Sequence, residues 1–272
     1  MRFSFLGTGT SAGVPCIGCS CAVCTSDDPR DSRLRTSALV QWTDADGRER
    51  AVLIDAGPDL RQQMLAAGLT RLDAILFTHN HVDHTFGLDE VRRFNALQGG
   101  PIDVYGSAHT LEHLRRVYQH IFEPSLNIQK SFVASLIAHE ISSAEPVELF
   151  GVRFTPIDLL HGRLPVLGFR IERVDGLVSP GWLPLAYCTD VSAIPPGSWS
   201  RLSGLGTLVL DALRPRQHPT HLTLDQAVSI AGRVGAGRTY FVHMSHDLGH
   251  AETNAALPDS MALAHDGLVL GD

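Results

Sequence analysis

The chain has 272 residues, 44% of them hydrophobic and 19% charged, a balance that excludes a disordered or fibrous protein. Its 22 basic and 29 acidic side chains leave a formal net charge of −7, so the overall field does not attract long nucleic acid, and no such partner is expected. No apolar run approaches the roughly 20 residues that span a bilayer, and residues 1–10 lack an export signal, which together imply a cytoplasmic chain with no membrane partner.

The pattern alternates strands and helices over a single expected domain, 1–272. An extended run at 2–6 enters a loop at 7–35 that is rich in Gly, Cys, Ser, Pro and charge, and so long a loop needs something to hold it. Runs at 37–42 and 51–54 flank Asp44-Ala45-Asp46-Gly47, where Asp-Gly supplies the positive φ of a hairpin turn. A helix is expected at 59–67, stopped by Gly68, and a buried strand at 72–77 ends in Thr78-His79. A helix at 87–97, a strand at 102–105 and a second helix from 108 to about 122 follow. Short extended runs return between 132 and 171, including 147–150 and 152–157 joined at Gly151. Strands at 185–188 and 207–210 close with Asp190 and Asp211, a helix covers 224–234, and a strand at 240–242 ends in His243-Met244-Ser245-His246. Hairpins in both halves with helices between them suggest two packed sheets covered by outer helices.

The strongest chemical signal is Thr78-His79-Asn80-His81-Val82-Asp83-His84, three imidazoles and a carboxylate just past an apolar strand. These are ligands suited to zinc, manganese or iron, and one tight turn can serve two metals. Three later strand ends offer further ligands: His161, Asp190 and His243, of which the Asp190 carboxylate can bridge two cations. Four of the five cysteines, Cys16, Cys19, Cys21 and Cys24, fall within nine positions, and in a reducing compartment such clustering favours a metal over disulfides. Thiolates at this spacing can share one tetrahedral zinc that pins the 7–35 loop, while Cys188, alone in a strand, reads as core.

The His79, His81, Asp83, His84 motif resembles the metallo-β-lactamase superfamily. Within it, Leu6-Gly7-Thr8-Gly9-Thr10, Gly13-Val14-Pro15, the cysteine cluster and His243-Met244-Ser245-His246 are similar to the PhnP-like phosphodiesterase group, of the phosphoribosyl 1,2-cyclic phosphodiesterase type. The resemblance implies an α/β, four-layer αββα sandwich with two divalent active-site cations. His79, His81 and His161 would hold one, Asp83, His84 and His243 the other, and Asp190 would bridge them. It also implies a structural zinc on Cys19, Cys21, Cys24 and His246. Cys16 departs from that pattern and opens a rival four-thiolate site, leaving His246 or His250 free.

The implied reaction is hydrolysis of a small, cyclic phosphodiester by water activated between the cations, with Asp83 orienting it and His221 as candidate proton donor. Arg163, Arg214 and Arg216 are surface arginines able to reach an anionic substrate. Alternatives are tRNA 3′-processing of the ribonuclease Z type, for which no basic Gly-rich arm is seen, and a non-catalytic PqqB-like carrier. A homodimer is compatible with the resemblance. Gly7-Thr8-Gly9-Thr10-Ser11-Ala12 fits a dinucleotide fingerprint, but Gly13, Pro15 and Gly18 preclude the helix it requires, so it reads as a tight turn. His109, His113, His120, His139 and His265 read as solvated, and the three tryptophans as packing or substrate stacking.

Overall fold

The computed structural model describes residues 1–128 and 132–271. In chain order its first half lays down β1 (Arg2–Gly7), β2 (Ser37–Thr43), β3 (Glu49–Ile54), α1 (Leu60–Ala67), β4 (Ala74–Leu76), α2 (Val82–Thr85), α3 (Arg92–Gln98), β5 (Ile102–Gly106), α4 (Ala108–Val117), α5 (Gln119–Phe122) and β6 (Leu136–Glu140). There follow β7 (Val147–Leu149), β8 (Val152–His161), β9 (Leu164–Arg173), β10 (Leu185–Cys188), β11 (Thr207–Asp211), α6 (Leu224–Val234), β12 (Arg238–Val242), α7 (His250–Ala256), β13 (Met261–Leu263) and β14 (Val269–Leu270). Among the described residues these strands make two sheets, ordered β14-β1-β2-β3-β4-β5-β6 and β13-β12-β11-β10-β9-β8-β7.

The period-2 geometry of a strand buries both faces here. Val40 and Trp42 of β2, Val52 and Ile54 of β3, and Leu185 and Tyr187 of β10 meet between the sheets. Their neighbours Leu39 and Leu53 face α1, α3 and α4, which supply Leu60, Met64, Phe94, Leu111 and Leu114. On the other side Ala186, Cys188, Leu208 and Leu210 pack against Ala227 and Ala231 of α6. The order of layers is therefore helix, sheet, sheet, helix, the expected αββα sandwich. No helix among the described residues is long and apolar enough to cross a membrane.

Local chemistry sets most boundaries. Gly68 and Gly235 end α1 and α6 in the left-handed region, and Thr223 with Gln226 forms a capping box at the start of α6. The turn at Gly47, with φ of 78°, joins β2 to β3. Four expectations need adjustment. The helix at 87–97 begins as a 3-10 segment, Leu88–Val91, before α3. The helix at 108–122 breaks at Tyr118, whose hydroxyl donates to Thr85 O at 3.0 Å, so a tertiary tie separates α4 from α5. The strand at 72–77 shortens to β4, and Asp211 lies inside β11 rather than beyond it.

Candidate metal centres

β3, β4, β8, β10 and β12 deliver their C-terminal ends to one edge of the sandwich. There the chain places Asp55, His79, His161, Asp190 and His243 just past, or at the end of, strands whose last residues are largely buried. Asp55, Asp190 and His243 all take the left-handed backbone, with φ of 64°, 56° and 60°. Non-glycine residues rarely adopt it, and three at one edge is strain concentrated where side chains are being aimed.

The 78–84 loop is cradled by the segment after β3. Ala56 N donates to His84 O at 2.7 Å, Gly87 N donates to Ala56 O at 2.8 Å, and a Cβ on Gly57 would lie 2.0 Å from Asp83 O. Asp55 accepts from Thr78 N and Thr78 Oγ1, both at 2.8 Å, and from His84 Nδ1 at 2.7 Å. His161 Nδ1 donates to Thr220 O at 2.8 Å, which fixes that ring as well.

Two main donor groups result, each gathered within 4.8 Å, His79, His81 and His161 in one and Asp83, His84, Asp190 and His243 in the other, and His221 comes within the same reach of His161 and Asp190. Asp190 faces both, with Oδ1 3.9 Å from His79 Nε2 and Oδ2 3.2 Å from His84 Nε2 and 3.1 Å from His243 Nδ1. His81 is exposed and the other six are buried, so the centre opens on the His81 side. Burial holds His79 well below the usual imidazole range. Burial also opposes the His84 cation, but Asp190, Asp55 and Asp83 outweigh it and push His84 well above that range. For Asp190 burial works against the carboxylate, and His243 and His84 hold it well below the usual value.

His79 Nε2, His84 Nε2 and His243 Nδ1 are buried with no hydrogen-bond partner. Orphaned buried nitrogens are costly, and beside two buried carboxylates they make a donor set that fits divalent cations. His221 adjoins this centre: its ring lies 4.5 Å from that of His161 and stacks at 4.8 Å on His243. Its Nδ1 is 3.2 Å from Asp211 Oδ2, which also accepts from Leu222 N and Val191 N. Burial lifts the Asp211 carboxyl to about 6, against the pull of His221.

A separate cluster forms on the 7–35 loop. Cys19, Cys21 and Cys24 Sγ lie 3.3, 3.2 and 3.5 Å from His246 Nδ1. An S to N edge of about 3.5 Å is what a tetrahedral zinc with bonds near 2.3 and 2.0 Å requires. Cys16 stays outside: its thiol turns to Gly13 O at 3.2 Å, while its backbone N–H donates to Cys24 Sγ at 3.3 Å. His250 also stands apart, buried near His265. Gly9 pairs with both Arg35 and Met244, and buried Arg33 donates to Ser245 O and Leu248 O. The loop is thus laced to the segment carrying His243 and His246.

Of the histidines expected to be solvated, His109 and His120 are exposed, whereas His113, His139 and His265 are half-buried, His139 being paired with Asp103 at 2.7 Å. Trp42 is core and donates to Phe150 O. Asp55 was not among the sequence candidates, although it has the same signal as Asp190: an apolar run, here Ala51 to Ile54, ending in aspartate.

The family model described as the beta-lactamase superfamily domain matches residues 50–244. A solved diphosphatase of the PhnP family is 44% identical, with a TM-score of 0.86, covering 99% of this chain and 97% of that one. An octanoyltransferase of Porphyromonas gingivalis is 35% identical over 270 residues, 98% of this chain and 51% of that protein, so the chain spans about half the length of that curated relative. The coenzyme PQQ synthesis protein B of Methylobacterium radiotolerans is 27% identical over 238 residues, 78% of this chain and 72% of that protein.

Proposed function

The chain belongs to the metallo-β-lactamase superfamily as a PhnP-like member, and from that footing we propose that it is a metal-dependent phosphoric diester hydrolase acting on a small substrate. The observation that carries the reading is Asp190, whose two oxygens face two separate donor groups. His79, His81 and His161 would hold one cation and Asp83, His84 and His243 the other. Cys19, Cys21, Cys24 and His246 would hold a structural zinc.

Bound there, two divalent cations, zinc or manganese with iron also suited, supply the charge that acidifies water and neutralises phosphoryl oxygens. The rest falls to the chain. Asp83 is only 7% exposed, and its carboxylate can accept a hydrogen bond from the attacking water and orient a lone pair toward phosphorus. Asp55 holds His84 from behind and Thr220 O holds His161, so both rings keep one nitrogen turned to the centre. His221, held by Asp211, would give the departing oxygen its proton. Exposed His81 marks the side of entry.

The solved PhnP-family diphosphatase favours a second reading on the same machinery, in which the bond broken is the P–O–P bridge of a diphosphate. The test is turnover of bis(p-nitrophenyl) phosphate by wild type and Asp83→Ala with manganese or zinc supplied. Wild-type turnover that disappears in Asp83→Ala supports the reading. A metal-loaded wild type inert to diesters and diphosphates would remove it and favour a carrier role.

A further inference from the structure

Beside His221 the chain carries a cationic rim that the reaction described above leaves unused. β8 and β9 are joined by the two-residue turn Gly162-Arg163, directly after His161. The turn presses on the 214–221 loop: a Cβ on Gly162 would lie 2.8 Å from Thr220 Cγ2, and the His161 ring bonds Thr220 O. Arg163 at the tip is exposed and, among the described residues, has no hydrogen-bond or ion-pair partner.

The facing loop is internally braced. Arg214 donates to Arg216 O and Gln217 O, both at 3.3 Å, which bends its guanidinium over the loop. His218 is half-buried, with its ring 5.1 Å from that of His221. Its Nδ1 accepts from the Thr220 backbone N–H at 3.4 Å and lies 3.1 Å from Thr220 Oγ1. A backbone N–H can only donate, so a neutral His218 carries its proton on Nε2 and presents an N–H donor there. Arg216 is engaged elsewhere, 3.5 Å from Asp247. On a chain of net charge −7, the imidazole N–H beside the proton donor, the braced guanidinium of its own loop and the exposed guanidinium on the turn that touches that loop are a local exception.

We infer that Arg163, Arg214 and His218 form an anion subsite that receives a negatively charged leaving group, selecting disubstituted diphosphates over diesters of neutral alcohols. This rests on the hydrolase reading. In the reaction, water oxygen bonds to one phosphorus, the bridging P–O bond breaks, and the electron pair departs on the second phosphate. That leaving phosphate monoester sits against the subsite and is charged before and after the bond breaks, so an N–H donor and guanidinium bind it in substrate and product alike.

The experiment compares wild type, Arg163→Gln and His218→Ala on two substrates, bis(p-nitrophenyl) phosphate and a symmetrical dinucleoside diphosphate. Calorimetric binding of the nucleoside monophosphate product is measured in parallel. The expected result is a loss in kcat/KM for the diphosphate about tenfold greater than for the p-nitrophenyl ester in each variant, carried mainly by KM, with weaker product binding. Such a factor corresponds to about 1.4 kcal/mol. Equal losses on both substrates, or none on either, overturn the subsite while leaving the hydrolase reading intact. A wild type that turns over neither substrate overturns that reading instead.

Discussion

His84 Nδ1 and Asp55 Oδ2 lie 2.7 Å apart, and both side chains are fully out of solvent. The pair joins the strand end after β3 to the loop after β4, so the ring is aimed by a residue 29 positions earlier in the chain. Asp55→Asn keeps the shape but removes the charge that strengthens His84 as a ligand. Loss of such a partner typically costs about 10- to 100-fold in metal affinity or activity. Metal titration followed by turnover should show that loss with Asp83 and Asp190 untouched, and a variant titrating like wild type would speak against the pair.

Cys16→Ser and Cys21→Ser should behave differently. Cys21 lies 3.2 Å from His246 Nδ1, whereas the Cys16 thiol faces Gly13 O. Structural zinc contributes directly to folding, so Cys21→Ser should lose one zinc and melt on the order of 10 °C lower. Cys16→Ser should keep its zinc. Zinc lost equally from both variants would mean that the four-thiolate arrangement operates instead.

Gly57 tests the loop without touching a ligand. A Cβ there would meet Asp83 O at 2.0 Å, a backbone atom that cannot swing away. Gly57→Ala should cost roughly 1–3 kcal/mol through this overlap and displace Asp83. Denaturation and metal content should fall together. Full metal occupancy at reduced stability would show that the cradle supports the fold alone.

His221 and Asp211 should matter in proportion to the leaving group. Replacing a general acid typically costs about 10²- to 10⁴-fold in kcat when the departing oxygen needs a proton. His221→Ala should therefore slow alkyl diesters far more than p-nitrophenyl diesters, and Asp211→Asn should follow in the same order. Uniform slowing across leaving groups would assign the pair to packing.

Asp266 gives a pH signature away from the centre. Its carboxyl accepts from Leu34 N at 2.7 Å and Thr8 Oγ1 at 2.8 Å, and burial pushes it up to about 6 despite these bonds. A raised folded value means that its contribution is whole below the unfolded value near 4 and is lost as pH rises through about 6, on the order of 3 kcal/mol. Wild type should therefore lose stability relative to Asp266→Asn between pH 4 and 7. Taking the difference between the two proteins cancels the protonation of metal ligands. Parallel profiles would contradict it.

What the sequence made legible was what lies close together in the chain. His79, His81, Asp83 and His84 occupy six positions, and the Thr223 cap and Gly235 stop mark α6 at both ends. Asp55 and Asp211 each close an apolar run, but no local spacing announces that the one holds His84, 29 positions on, and the other His221, 10 positions on. The break at Tyr118 has no glycine or proline to signal it because its cause is a bond to Thr85. Which strands adjoin is likewise non-local: β14, the last strand, pairs with β1, the first.

The most direct measurement is a metal titration of chelator-treated protein that retains only its structural zinc, with bis(p-nitrophenyl) phosphate turnover read at each step. Turnover should appear as two further equivalents of manganese or zinc bind, and Asp190→Ala should abolish both the second equivalent and the turnover. Saturation at one further equivalent, or two bound equivalents with no hydrolysis of diester or diphosphate, would contradict a dinuclear hydrolase.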